Sequence, residues 1–287
     1  MGDQATMLGN TRLILYASFM KSTVTGLLLC MLLEVASSAL AETPDTVFLE
    51  ELTWTEIRDR IQAGGMTVIV PIGGTEQNGP HMAVGKHNIR VKALSEKIAR
   101  TLGNALVAPV LAYVPEGQVS PPTGHMRFPG TLTVPDDVFQ KNVEYAARSL
   151  KAHGFRNIVL LGDHGATQSG QSAVATRLNR EWATAPVRVH AVGEYYRASQ
   201  DEFRQLLKAR GYREDELGSH ASLADTALML AVDPRLVRMD RLRRGTGPTG
   251  DGVDGDPSRA SAELGRLGVE AIVARTVSAV KTAIARP

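Results

Sequence analysis

MTVIVPIGGTEQNGPHMAVGKHN, Met66 to Asn88, begins with a short apolar run, Met66 to Ile72, that reads as a buried strand. Glu76, Asn78, His81 and His87 follow along a loop punctuated by glycine and proline. A carboxylate, an amide and imidazoles gathered where a strand ends are what an α/β enzyme needs. Ligand crevices in open α/β sheets lie outside the carboxyl ends of the strands. A second apolar run, Asn157 to Leu161, ends in Gly162-Asp163-His164-Gly165. Two strand ends with metal-capable side chains point to one shared metal site.

Outward from these strands the pattern alternates. Helical spacing marks Leu52 to Ala63, which stops at Gly64-Gly65, and Ile89 to Leu102, which is amphipathic. Further helices are expected over Asp136 to His153, Gln171 to Thr184, Asp201 to Ala209, Ala221 to Ala231 and Ser258 to Arg286, the last broken near Gly268. Ala105 to Val110 and Val187 to Val192 read as strands. Pro115 to Gly130 is a long loop of the kind that shapes substrate pockets, and Gly245 to Asp256 is a second loop. Such alternation predicts an α/β fold, a mostly parallel sheet with helices on both faces.

Bulk composition narrows the function classes. The chain has 287 residues, 32 basic against 30 acidic, and a net charge of +2, which gives no case for nucleic acid as a partner. The arginines of Arg235 to Arg244 read as a solvated face. Residues 1–41 resemble a targeting segment: Met20-Lys21 is a positive start, Val24 to Val35 an apolar stretch and Ala39-Leu40-Ala41 a small-x-small cleavage site. Met20 is a better initiator than Met1. The stretch is shorter than the ~20 apolar residues of a spanning helix, so no membrane anchor is expected after cleavage. The expectation is an exported protein, periplasmic or secreted, with one globular domain over 42–287. Cys30, the only cysteine, lies in that segment. Any metal in the mature chain must therefore use His, Asp or Glu, which suits zinc first, with manganese or iron as alternatives.

Three loops carry the chemistry: Glu76 to His87, Asp163-His164, and His220 with Asp225 near a helix start. Pro80 before His81 favours a structural role for that histidine. His125 is placed to line a pocket from the long loop, and His153 and His190 read as ordinary residues. No G-x-G-x-x-G lies between a strand and a helix, which argues against a dinucleotide-binding protein.

GTEQNGPHMAVGKHN, GDHGATQ, SHASLADTALML and FPGT at Phe128 to Thr131 together resemble the signatures of the creatininase family of metal-dependent amidohydrolases, in order, over roughly Phe48 to Pro234. The resemblance implies a three-layer α/β/α sandwich, a small-molecule substrate and a homo-oligomer, often a hexamer. Carried over by position, it implies that Glu76 and His164 bind a first metal and that His220 assists catalysis. The family's second-metal histidine is replaced by Asn78, its bridging aspartate by His87, and a further glutamate by Ala166. Imidazole bridges two ions poorly and an amide is a weak ligand, so one ion per chain is expected, held by Glu76, His87 and His164 with one position open. Asn78 and Asp163 then either support a ligand by hydrogen bonding or serve a second ion. Asp225 orients His220, binds a second ion, or is simply favourable charge at a helix N-terminus.

The expected reaction is hydrolysis of a C–N amide bond, cyclic or open, in a small polar substrate other than creatinine, with His220 moving the proton near its unperturbed pKa of ~6.5. A lactone or ester hydrolase at the same site, and a ligand-binding protein that has lost catalysis, are the two rivals.

Overall fold

Six consecutive residues of Thr67–Ile72 (β1) are buried, because this strand is covered on both faces. It pairs in parallel with Ala105–Val107 (β2) on one side and Asn157–Gly162 (β3) on the other, and β3 pairs with Arg188–Ala191 (β4). The order is β2-β1-β3-β4. Since β2 and β3 flank β1, the strand order reverses at β1 and β3, and a crevice opens at their carboxyl ends. These facts come from a computed structural model that describes residues 44–285. The targeting segment expected over residues 1–41 lies outside the described residues.

Helices cover the sheet as Trp54–Gln62 (α1), Lys86–Leu102 (α2), Asp136–Ala152 (α3), Thr167–Glu181 (α4), Glu194–Arg197 (α5), Phe203–Lys208 (α6), Glu214–Leu217 (α7), Leu223–Val232 (α8) and Ala262–Ala285 (α9). Strand alternation sorts the core into two. Val68, Val70, Ile72, Ile158 and Leu160 pack with Phe139 and Val143 of α3 and Val174 and Leu178 of α4. Ile69, Val159 and Leu161 pack on the opposite face with Val91, Leu94 and Ile98 of α2, Leu228 of α8 and Ile272 of α9. Each such buried side chain contributes ~1.5–3 kcal/mol. The result is the expected three-layer α/β/α sandwich.

Three departures from the expected elements bear on the site and its packing. First, α2 starts at Lys86, so His87 sits in its first turn rather than in a loop. Second, the helix expected from Asp201 starts at Glu194 and runs through a π turn, Ala198–Glu202, into α6. Third, α9 is unbroken at Gly268, whose missing Cβ leaves room for Leu228 and Phe203 at 2.8 and 2.9 Å. Gly265 serves the same approach: a Cβ there would lie 1.8 Å from the Ala227 carbonyl oxygen of α8. These glycines set helix packing and do not end the helix.

Candidate metal centre

The turn after β1 fixes Glu76. Its backbone N–H donates to Val84 O at 3.1 Å, and the Asn78 amide donates to Glu76 O at 2.9 Å and Ala83 O at 3.1 Å, closing the loop on itself. The Asn78 Nδ2 is thus spent on its own loop, while its Oδ1 is buried without a hydrogen-bond partner. His164 follows β3 directly, its carbonyl accepting from Thr167 Oγ1 at 2.7 Å at the start of α4. From the long loop comes Glu116, whose N–H donates to Thr133 Oγ1 at 2.9 Å. Its carboxylate comes so close to Gly74 that a Cβ there would stand 2.7 Å from Oε1. Gly74 has φ +155°, which a side chain would resist in any case.

Donor atoms of Glu76, Glu116, His125 and His164 all lie within 4.8 Å of one another. His164 Nε2 is 3.0 Å from Glu76 Oε2 and 3.3 Å from Glu116 Oε2, and His125 Nε2 is 3.1 Å from Glu76 Oε2. Glu76 Oε2, both Glu116 oxygens and His164 Nδ1 are nonetheless buried without a hydrogen-bond partner. Buried polar atoms are rarely left unmatched, and a cation among these carboxylates would satisfy their oxygens together. The residues therefore fit a divalent metal. His125 fits less directly. The Gln77 amide is oriented by Gly79 N–H (2.9 Å) and Gly252 O (3.1 Å), so its Nε2 donates to His125 Nδ1 at 3.0 Å. That leaves the neutral ring's proton on Nε2, the atom facing the cluster.

The electrostatics follow burial. Glu116 is pushed up to about 9 by burial and by the neighbouring Glu76. Burial presses Glu76 the same way, yet His87 and the Lys86 ammonium beside it hold it well below the usual carboxylate range. His164 and His125 are depressed by burial, which favours unprotonated rings.

Behind Glu76 lies a buried ionic network. His87 faces Glu76 Oε1 through Nε2 and Asp163 Oδ2 through Nδ1, each at 2.7 Å. Asp163 also accepts from Arg90 Nε at 2.9 Å and the Tyr195 hydroxyl at 2.7 Å. Arg90 Nη1 donates to Asp225 Oδ1 at 2.8 Å, and Lys86 Nζ lies 3.2 Å from Asp225 Oδ2. Asp225 caps the Ala221 N–H at 3.1 Å, where the chain turns through φ +50°. His220 Nε2 donates to Gln77 O at 2.9 Å, which leaves Nδ1 bare, 3.8 Å from Glu76 Oε1. Burial, aided by Lys86, pushes His220 down to about 4.

Every expected site residue except Asn78 lines one pocket of about 350 Å³, Glu76, His125, His164 and His220 among them. His87 also reaches it, but both its nitrogens are engaged by carboxylates, and Glu116 stands in the cluster instead. Asp225 neither touches His220 by a hydrogen bond nor stands open to an ion, because Lys86, Arg90 and the backbone occupy its oxygens. Asp163 faces His87 at 2.7 Å, whereas its expected roles are to support a metal-binding histidine or to serve a second ion. Glu116, Lys86 and Arg90 join these residues without being candidate site residues of any of the three loops that carry the expected chemistry. Helical spacing held a signal for Arg90, three residues after His87 on the stripe that also carries Val91 and Leu94. Glu116, a single acid in a loop rich in glycine and proline, held none.

The creatininase family pattern, described as creatinine amidohydrolase, matches residues 50–280. Creatinine amidohydrolase of Pseudomonas putida is 30% identical over 225 residues, which cover 76% of this chain and 85% of that protein. A crystal structure of creatinine amidohydrolase superimposes with a TM-score of 0.70 at 27% identity, over 85% of this chain and 100% of the other. Similar structures of creatininase include a manganese form, with TM-score 0.68 at 27% identity over 84% of this chain and all of the other, and a zinc form. On this match of sequence, fold and buried donor cluster, the chain belongs to the creatininase family.

Proposed function

We propose that the chain is a metal-dependent hydrolase that cleaves a C–N amide bond, cyclic or open, in a small polar substrate. The observation that carries this is the cluster of Glu76, Glu116 and His164, with unmatched buried oxygens, at the carboxyl ends of β1 and β3. Three protein ligands and an open position are the pattern of a catalytic site. A divalent ion held there supplies Lewis acidity to a carbonyl and lowers the pKa of a coordinated water toward ~7. The oxygen-rich donor set suits zinc or manganese, with iron as a further candidate.

The chain's own groups do the rest. His220 Nδ1 is a bare acceptor beside the cluster. Because its ring is pushed down to about 4, a proton taken there passes readily to a departing nitrogen. His125 offers its Nε2–H as a donor over the same pocket. A pocket of about 350 Å³ admits a small molecule and little more.

Amine release from a panel of small cyclic and open amides, with lactones alongside, tests the reading. Turnover of an amide, lost on chelation and restored by zinc or manganese, is expected. Turnover of lactones alone would favour the ester reading. No turnover of either, with ligand binding unchanged in His220→Ala, would favour a binding protein.

Export with cleavage before Glu42 belongs to the same proposal, supported by the pattern of residues 20–41. So does assembly into a homo-oligomer, supported by the family resemblance and by exposed Tyr113, Val119 and Leu132 on neighbouring loops. The mature mass in a periplasmic fraction, and its size in solution, check both.

A further inference from the structure

The buried charges of the pocket do not balance by themselves. Glu76, Asp163 and Asp225 contribute three carboxylates, while Lys86 and Arg90 contribute two cations. Glu116 lies just beside them, in contact with His164. With all four carboxyl groups ionised the excess is two negative charges, which one divalent ion balances, and unbalanced charge in a buried site is costly.

Lys86 is the unusual member. Its side chain is 1% exposed, and it sits in the first turn of α2, where the helix dipole disfavours a cation. Its Nζ lies 3.4 Å from Glu76 Oε1 and 3.2 Å from Asp225 Oδ2. Two carboxylates from separate segments, closing on one point, form a place for a cation, and the ammonium fills that place. The same contact turns Glu76 Oε1 toward Lys86 and His87, which leaves Oε2 for the cluster with His164 and His125.

We propose that the Lys86 ammonium is a built-in second cation: it spans Glu76 and Asp225 and restricts the centre to one divalent ion. This rests on the reading of Glu76, Glu116 and His164 as metal-binding. Lys86 acts as a positioning residue through Glu76 and is not itself a ligand. Removing it uncovers two carboxylates that can take a second ion in its place.

The test is the number of manganese ions bound per chain at equilibrium, read by elemental mass spectrometry and by the spin coupling of paired Mn(II), in wild type, Lys86→Ala and Lys86→Arg. The expected counts are one, two and one, with a coupled signal in Lys86→Ala alone. Circular dichroism checks each fold, and Lys86→Gln carries the same measurement if the alanine variant does not fold. Two ions in wild type, or one in both neutral variants, overturns the role of Lys86 and leaves the metal reading standing. No ion in wild type overturns the metal reading and the proposal with it.

Discussion

Glu116→Gln is the change that most sharply separates a metal cluster from a packed set of polar side chains. Glu116 is pushed up to about 9, so at pH 7 its carboxyl holds a proton that an arriving cation must displace. Neither of the other two ligands holds one in the way, since Glu76 is held low and His164 is depressed, and His125, with its Nε2–H, stands outside the ligand set. Two pH units separate neutrality from the Glu116 value, a penalty of ~2.7 kcal/mol at ~1.36 kcal/mol per unit. The sign follows. With a folded value raised above the ordinary 4.5, the protonated carboxyl favours the metal-free fold fully below about 4.5, and this is lost as pH rises through about 9. Metal affinity moves the opposite way, rising ~tenfold per pH unit between roughly 6.5 and 8.5. Calorimetric titration with zinc or manganese in buffers of different ionisation enthalpy reads the protons released. The wild type is expected to release about one per ion near pH 7, and Glu116→Gln none, with weaker and pH-flat binding from this group. Equal release by the two proteins would refute the reasoning.

Three further outcomes follow from the same contacts. His220→Ala is expected to lower kcat by ~10²–10⁴-fold with metal content unchanged, measured by steady-state kinetics beside elemental analysis. Since His220 is depressed to about 4, its contribution to stability is present above 6.5 and lost as pH falls through about 4, visible as a smaller acid-side drop in melting temperature for the variant. Arg90→Met leaves Asp163 and Asp225 buried without their guanidinium and is expected to cost ~3–5 kcal/mol in denaturant unfolding. Gly265→Ala drives a methyl onto the Ala227 carbonyl and is expected to cost at least ~1–3 kcal/mol, whereas Gly85→Ala, with open space around it, stays within about 0.5 kcal/mol.

The sheet was readable because β1 and β3 are short apolar runs ending in glycine, and burial on both faces demands that composition. Glu76 and His164 were readable for the same reason, as polar residues at the two strand ends beside the point where strand order reverses. Glu116 was not, because its place depends on a loop anchored at Thr133 and pressed against Gly74, contacts that local sequence does not encode. By its position in a signature, His87 points to the metal. Its helical setting, three residues before Arg90, instead gives it to Asp163 and Glu76. Asp225 was read with its own helix, while its partners, Lys86 and Arg90, come from α2.

The most direct test of the account is the position of the ion itself, located by anomalous diffraction from crystals of the zinc- or manganese-loaded protein. The account predicts one ion per chain, within about 2.0–2.2 Å of Glu76, Glu116 and His164, with Lys86 still between Glu76 and Asp225. An ion ligated by His87 with Glu116 turned away, or no ion between the ends of β1 and β3, would contradict it.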